Sequence, residues 1–108
     1  MPHGYEVGRI AVKNADRVRD RLPKGARLVA LDERGTDLST AQFAKLLAEP
    51  TAFVIGGPDG LEESLKREAA LLLRLSSLTL PHALAQVILL EQLYRAATLL
   101  TGHPYHRA

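Results

Sequence analysis

The 108-residue chain has no cysteine, no tryptophan, and only two Phe and three Tyr. Without cysteine, disulfides, thiolate chemistry and zinc sites of the Cys type are excluded. With aromatics at 5%, there are too few rings to build a stacking platform for single-stranded nucleic acid. Residues 1–8 lack the apolar run of a secretory leader. The longest apolar stretch, Ala83–Leu100, is interrupted by Gln86, Glu91, Gln92, Arg95 and Thr98, so no membrane association is expected and the expected compartment is the cytoplasm. A large charge imbalance is missing too, the formal net charge being +2.

What is present is ordinary globular composition, 46% hydrophobic and 24% charged, at a length that suits one domain. The charge is unevenly placed. Residues 1–27 hold seven Lys or Arg against three acids, whereas residues 28–102 hold six against nine. The expected organisation is a short basic arm, 1–27, joined to a mildly acidic body, 28–108, and a basic arm hints at a polyanionic partner.

Three short apolar runs begin about 24 residues apart: Leu28–Leu31, Ala52–Ile55 and Ser77–Leu80. Each is continuous rather than alternating, as in strands covered on both faces. Helical patterns lie between them. Ser39 and Gln42 have capping-box spacing ahead of Phe43, Leu46 and Leu47, and Pro50 follows. Leu61–Leu75 reads as a second helix, with apolar residues at 61, 65, 69, 72 and 73. Pro81 opens a last helix that Gly102 stops. The order β-α-β-α-β-α predicts an α/β fold with a parallel sheet between helical layers. Upstream, Asn14 can cap a short helix ended by Pro23, and Val7–Val12 is a weak strand candidate. Helix 82–101 is apolar around most of its circumference, which a surface helix is not. It is expected to pack against a second copy of the chain in a two-fold homodimer.

In parallel sheets ligands bind outside the carboxyl ends of the strands. Three segments are expected there: Leu31–Gly35, the glycine-rich Gly56-Gly57-Pro58-Asp59-Gly60, and Leu80-Pro81-His82. The glycine loop lets a ligand approach backbone closely. No Lys-Ser/Thr pair follows it and its spacing is not the dinucleotide fingerprint. Pro58 removes an amide from any phosphate cradle, so an uncharged or zwitterionic ligand suits the loop better, while a plain tight turn stays open. His3, His82, His103 and His106 lack metal-ligand spacing, so no metal site is expected, and no Ser stands in a nucleophile elbow.

Together, Val29-Ala30-Leu31-Asp32 with Gly35, Ile55–Gly60, Leu75–His82, Glu91–Ala96 and the terminal His103-Pro104-Tyr105-His106-Arg107 resemble the bacterial 23S ribosomal RNA pseudouridine-N3 methyltransferase family of the SPOUT superfamily. The resemblance covers residues 28–108. It implies a C-terminal trefoil knot, a homodimer, S-adenosylmethionine as cofactor and the 23S RNA of the large ribosomal subunit as partner. Cofactor contacts carry over onto Leu31, Gly56, Gly57 and the segment Leu75, Ser76, Ser77, Leu78, Thr79, Leu80 and Pro81. Family members usually begin with a further basic strand-helix-strand portion, so the N-terminal part is expected to be reduced here. A shortened dimer that binds the cofactor without methylating RNA, and an unrelated small nucleotide-binding α/β protein, are the alternatives.

The implied chemistry assigns candidates. A pseudouridine N3 is a weakly acidic imide that must lose its proton before it attacks a sulfonium methyl. The catalytic candidates are His82, Tyr105, His106 and Arg107. An imidazole can take the proton near neutral pH. Arg107 stays protonated, so it can only hold an anion. His82 can equally be a helix-start residue that orders its loop, and residues 105–107 a frayed end.

Overall fold

The computed structural model describes residues 15–56 and 61–102. They form α1 (Ala15–Arg21), β1 (Arg27–Asp37), α2 (Thr40–Leu46), β2 (Thr51–Val54), α3 (Glu63–Glu68), β3 (Leu71–Arg74) and α4 (His82–Thr101). The Asn14 cap and the Val7–Val12 strand lie outside the described residues.

The three strands make a parallel sheet in the order β2-β1-β3. In the central strand Leu28, Val29 and Ala30 are all buried, which is why that run carries no alternation. Arg27 to Ala30 pair with Thr51 to Val54, and Val29 to Leu31 with Leu71 to Leu73. One face meets α2 and α4, where Val29, Phe43, Ala44, Leu73, Leu89, Leu93 and Ala96 form the main core. The other face meets α1 and α3, where Leu28 and Leu65 pack with Val18, Leu22 and Val54. Helices thus cover the sheet on both sides, as the α/β reading expected.

Two helix boundaries follow the sequence closely. Ser39 Oγ accepts the Gln42 amide at 3.1 Å and Gln42 Oε1 accepts the Ser39 amide at 2.9 Å, a complete capping box. Gly102 ends α4 with φ 76°, a left-handed conformation that costs a glycine little. By length and composition α4 is apolar enough to cross a bilayer, despite the polar interruptions. Its inner residues Ala85, Leu89, Leu93, Ala96 and Ala97 are nonetheless buried, as in a core helix.

Three expectations change. The third strand is Leu71–Arg74 and not Ser77–Leu80, and the helix expected over Leu61–Leu75 is confined to Glu63–Glu68. The apolar run Ala69–Leu73 satisfies helical spacing and also suits a buried strand. Pairing with β1 decides it, because that places Leu73 in the core. Among the described residues Ser77–Leu80 has no strand partner, and Leu78 is 74% exposed. The first strand also runs past Leu31 to Asp37, with a register shift between Leu31 and Thr36. Gly35 permits this: a Cβ there would stand 2.6 Å from the carbonyl oxygen of Leu72, closer than side-chain atoms come to backbone.

Candidate functional site

All three strands point their carboxyl ends the same way, so the segments that follow them collect on one rim of the sheet. The rim is built from the outer part of β1 (Asp32–Asp37), the residues after β2 (Ile55, Gly56) and the run 75–81 after β3. That last run begins beside one edge strand and ends at the other. On the way Thr79 Oγ1 donates to Glu33 Oε2 at 3.2 Å. At its end His82, the first residue of α4, bonds the Gly56 carbonyl through Nδ1. The post-β3 run therefore bridges the carboxyl ends of β1 and β2.

This run is held at its ends more than along its length. The Leu78 amide donates to Ser76 Oγ at 3.0 Å. Among the described residues, the backbone groups of Ser76–Leu80 make no backbone–backbone hydrogen bond. Ser76 and Leu80 are half-buried, whereas Ser77, Leu78, Thr79 and Pro81 are exposed. Leu31 and Leu75 are half-buried and pack against the main core. Leu31, Gly56 and 75–81 are thus brought to one rim. Gly57, Tyr105, His106 and Arg107 lie outside the described residues.

Ion pairs brace the rim. Asp32 takes the Arg34 amide at 3.0 Å and the Lys66 ammonium at 3.0 Å. The Arg34 amide, helped by Lys66 and opposed by burial, holds the Asp32 carboxyl below its ordinary value. On the other side Arg74 grips Asp37 through two bonds of 2.6 and 2.5 Å. That pairing lowers the Asp37 carboxyl and raises the Arg74 guanidinium. These pairs join α3 to β1, and β3 to the end of β1.

Sequence reading missed Lys66 and Gln86 as parts of this region, and named Glu33 only within the segment Leu31–Gly35. Gln86 Nε2 lies 2.6 Å from His82 Nε2, and their four-residue separation on one helix was the available signal. Lys66 and the Thr79–Glu33 contact had no local signal, because the residues that meet there are far apart in sequence.

Such a rim suits a small ligand held largely by backbone, and comparison with known proteins defines the class. A family model described as "Predicted SPOUT methyltransferase" matches residues 3–106, taking in most of the 1–27 arm as well as the body. A ribosomal RNA large subunit methyltransferase H of Polynucleobacter necessarius is 54% identical over 101 residues, 88% of this chain and 75% of that one. Its namesake from Burkholderia vietnamiensis is 50% identical over 111 residues, 97% of this chain and 71% of that one. That from Polynucleobacter asymbioticus is 54% identical over 101 residues, 88% of this chain and 69% of its own. The chain belongs to the SPOUT methyltransferase family and, within it, to the group of these large-subunit enzymes.

Proposed function

We propose that this methyltransferase uses S-adenosylmethionine to methylate N3 of a pseudouridine in the 23S RNA of the large ribosomal subunit. It works in the cytoplasm as a homodimer formed through α4, with its C-terminal part threaded as a trefoil knot. Residues 28–108 are the cofactor-binding core, and the basic stretch 1–27 faces RNA. The observation that carries the reading is the run 75–81 spanning the rim, in a chain half identical to enzymes named for this substrate class.

The rim fits the cofactor. Adenine is read by a neighbouring donor and acceptor, and Ser76–Leu80 offer backbone amides and carbonyls that no other described backbone group pairs. Leu31, Leu75 and Leu80 supply apolar surface, and Gly56 and Gly57 let a ligand lie against main chain. When bound, S-adenosylmethionine supplies an electrophilic methyl group on a sulfonium. The chain's own task is to hold the acceptor in line with it and to deal with the imide proton. Charge builds on the imide as that proton leaves. Arg107 offsets the charge, Tyr105 lies against the base, and His106 is the proton acceptor. Both ring nitrogens of His82 are engaged by Gly56 and Gln86, which favours its ordering role over that of a base.

Methyl incorporation into ribosomes, alongside calorimetry with S-adenosylmethionine, tests the reading. Deleting residues 103–108 should leave cofactor binding near normal and reduce transfer at least about a hundredfold, roughly 2.7 kcal/mol. Arg107→Ala should reproduce most of that loss. Gly57→Val should weaken cofactor binding about tenfold, because its branched side chain enters the ligand's space. Cofactor binding by the intact chain with no transfer to any ribosomal particle would overturn it.

A further inference from the structure

His82 and Gln86 form a small hydrogen-bond chain whose direction follows from its chemistry. The Gly56 carbonyl can only accept, so the ring nitrogen facing it, Nδ1, must carry a hydrogen. In the neutral ring Nε2 is then a bare acceptor. Gln86 meets that nitrogen with its amide nitrogen at 2.6 Å, which is the group a bare acceptor requires. A carboxylate or a carbonyl at the same place would require a hydrogen on Nε2 as well. Gln86 is half-buried and sits one helical turn after His82, on the same side of α4.

We propose that Gln86 is a positioning residue that sets the His82 tautomer, and that His82 in its Nδ1–H form latches the residues after β2 to the head of α4. The latch closes the rim across its full width. One of its ends belongs to the β2 edge of the sheet. The other follows directly on the run 75–81 that leaves the β3 edge. Opening it frees Gly56 from that run and loosens two walls of the site together. The imidazole serves as a hydrogen-bonded strut and gives up neither nitrogen to the substrate. Only the affinity measurement below rests on the cofactor reading; the ring measurement stands without it.

The test uses the full chain labelled with nitrogen-15. Ring correlations of His82, read at about pH 8 where free imidazole is neutral, should show hydrogen on Nδ1 and a bare Nε2. Gln86→Glu presents an acceptor to Nε2, so the ring should become doubly protonated. Gln86→Met removes the donor at Nε2 and leaves the Gly56 carbonyl alone to direct the ring, so a minor population with hydrogen on Nε2 should become measurable. S-adenosylmethionine affinity should fall by about three- to tenfold in Gln86→Met and about tenfold in His82→Ala, the scale of a lost structural hydrogen bond. His82→Asn keeps a donor for Gly56 and should restore much of the loss. Hydrogen on Nε2 in the unmodified chain overturns the proposal. So does unchanged affinity in both Gln86→Met and His82→Ala. If the unmodified chain binds no S-adenosylmethionine, the functional reading fails, while the ring measurement still upholds or overturns the latch.

Discussion

The two sides of α4 both carry large apolar residues and do different work. On the inner side Leu89, Leu93 and Ala96 interlock with Val29, Leu73, Phe43 and Ala44. On the outer side Leu84, Val87 and Leu90 are exposed, Val87 by 61%, as is Leu100 where the inner row reaches the end of the helix. The first three stand three residues apart and form one row. Similar apolar side chains thus stabilise the fold on one side and stand exposed on the other. Composition cannot separate the two roles; neighbours do.

Substitution separates them. Leu93→Ala should cost about 2–5 kcal/mol of folding stability, because it opens a cavity between β1, α2 and α4. A denaturant midpoint unchanged from the parent would mean that the inner side is not core. Ala96→Leu should cost about 1–3 kcal/mol by overpacking, since Ala96 is fully buried. A more stable protein would reveal a void there. Ser39→Ala removes the cap of α2, the helix against which α4 packs, at about 1 kcal/mol. Val87→Gln with Leu90→Gln should move monomer stability by no more than about 0.5 kcal/mol. The pair should nevertheless change sedimentation at micromolar concentration from about twice the 11.8 kDa chain mass to one chain. A parent protein that sediments as one chain would remove the homodimer.

Acid gives a weaker handle on the rim. The folded Asp32 carboxyl lies below its ordinary 3.8. Its contribution is therefore complete above that value and lost as pH falls through the depressed folded one. Lys66→Met removes one of the groups that lower it. The acid-dependent loss of stability should then be smaller in the variant than in the parent and complete at a higher pH. Coincident acid transitions would show that Lys66 does not hold this carboxylate.

The parts legible in sequence were those with local causes. Ser39 with Gln42, and Pro81 with Gly102, mark helix ends through bonds made within a few residues, and these ends stand where the residues placed them. The β3 strand was hidden because Leu71-Leu72-Leu73 fits two periodicities, and only pairing with Val29–Leu31 chooses between them. The extension of β1 was hidden because Gly35 reads as a strand breaker. Its role, a close approach to the backbone of Leu72, exists only in three dimensions. The rim followed the same rule. Leu31, Gly56 and 75–81 were named as separate segments, but the Thr79–Glu33 and His82–Gly56 contacts that join them connect residues 46 and 26 apart.

The central strand is also the earliest of the three along the chain. When β1 leaves the biosynthetic machinery, neither β2 nor β3 has yet been made to pair with it. The nearer partner, β2, begins 24 residues later and β3 only 44 residues later. Closing loops of that length comes before any pairing rewards it, so the sheet assembles slowly and from the middle outward. During that interval the edges that β2 and β3 will occupy are a template for other chains. The polar, charged outer part of β1, Asp32-Glu33-Arg34, lies at one end of that template and discourages stray strands from zipping onto it.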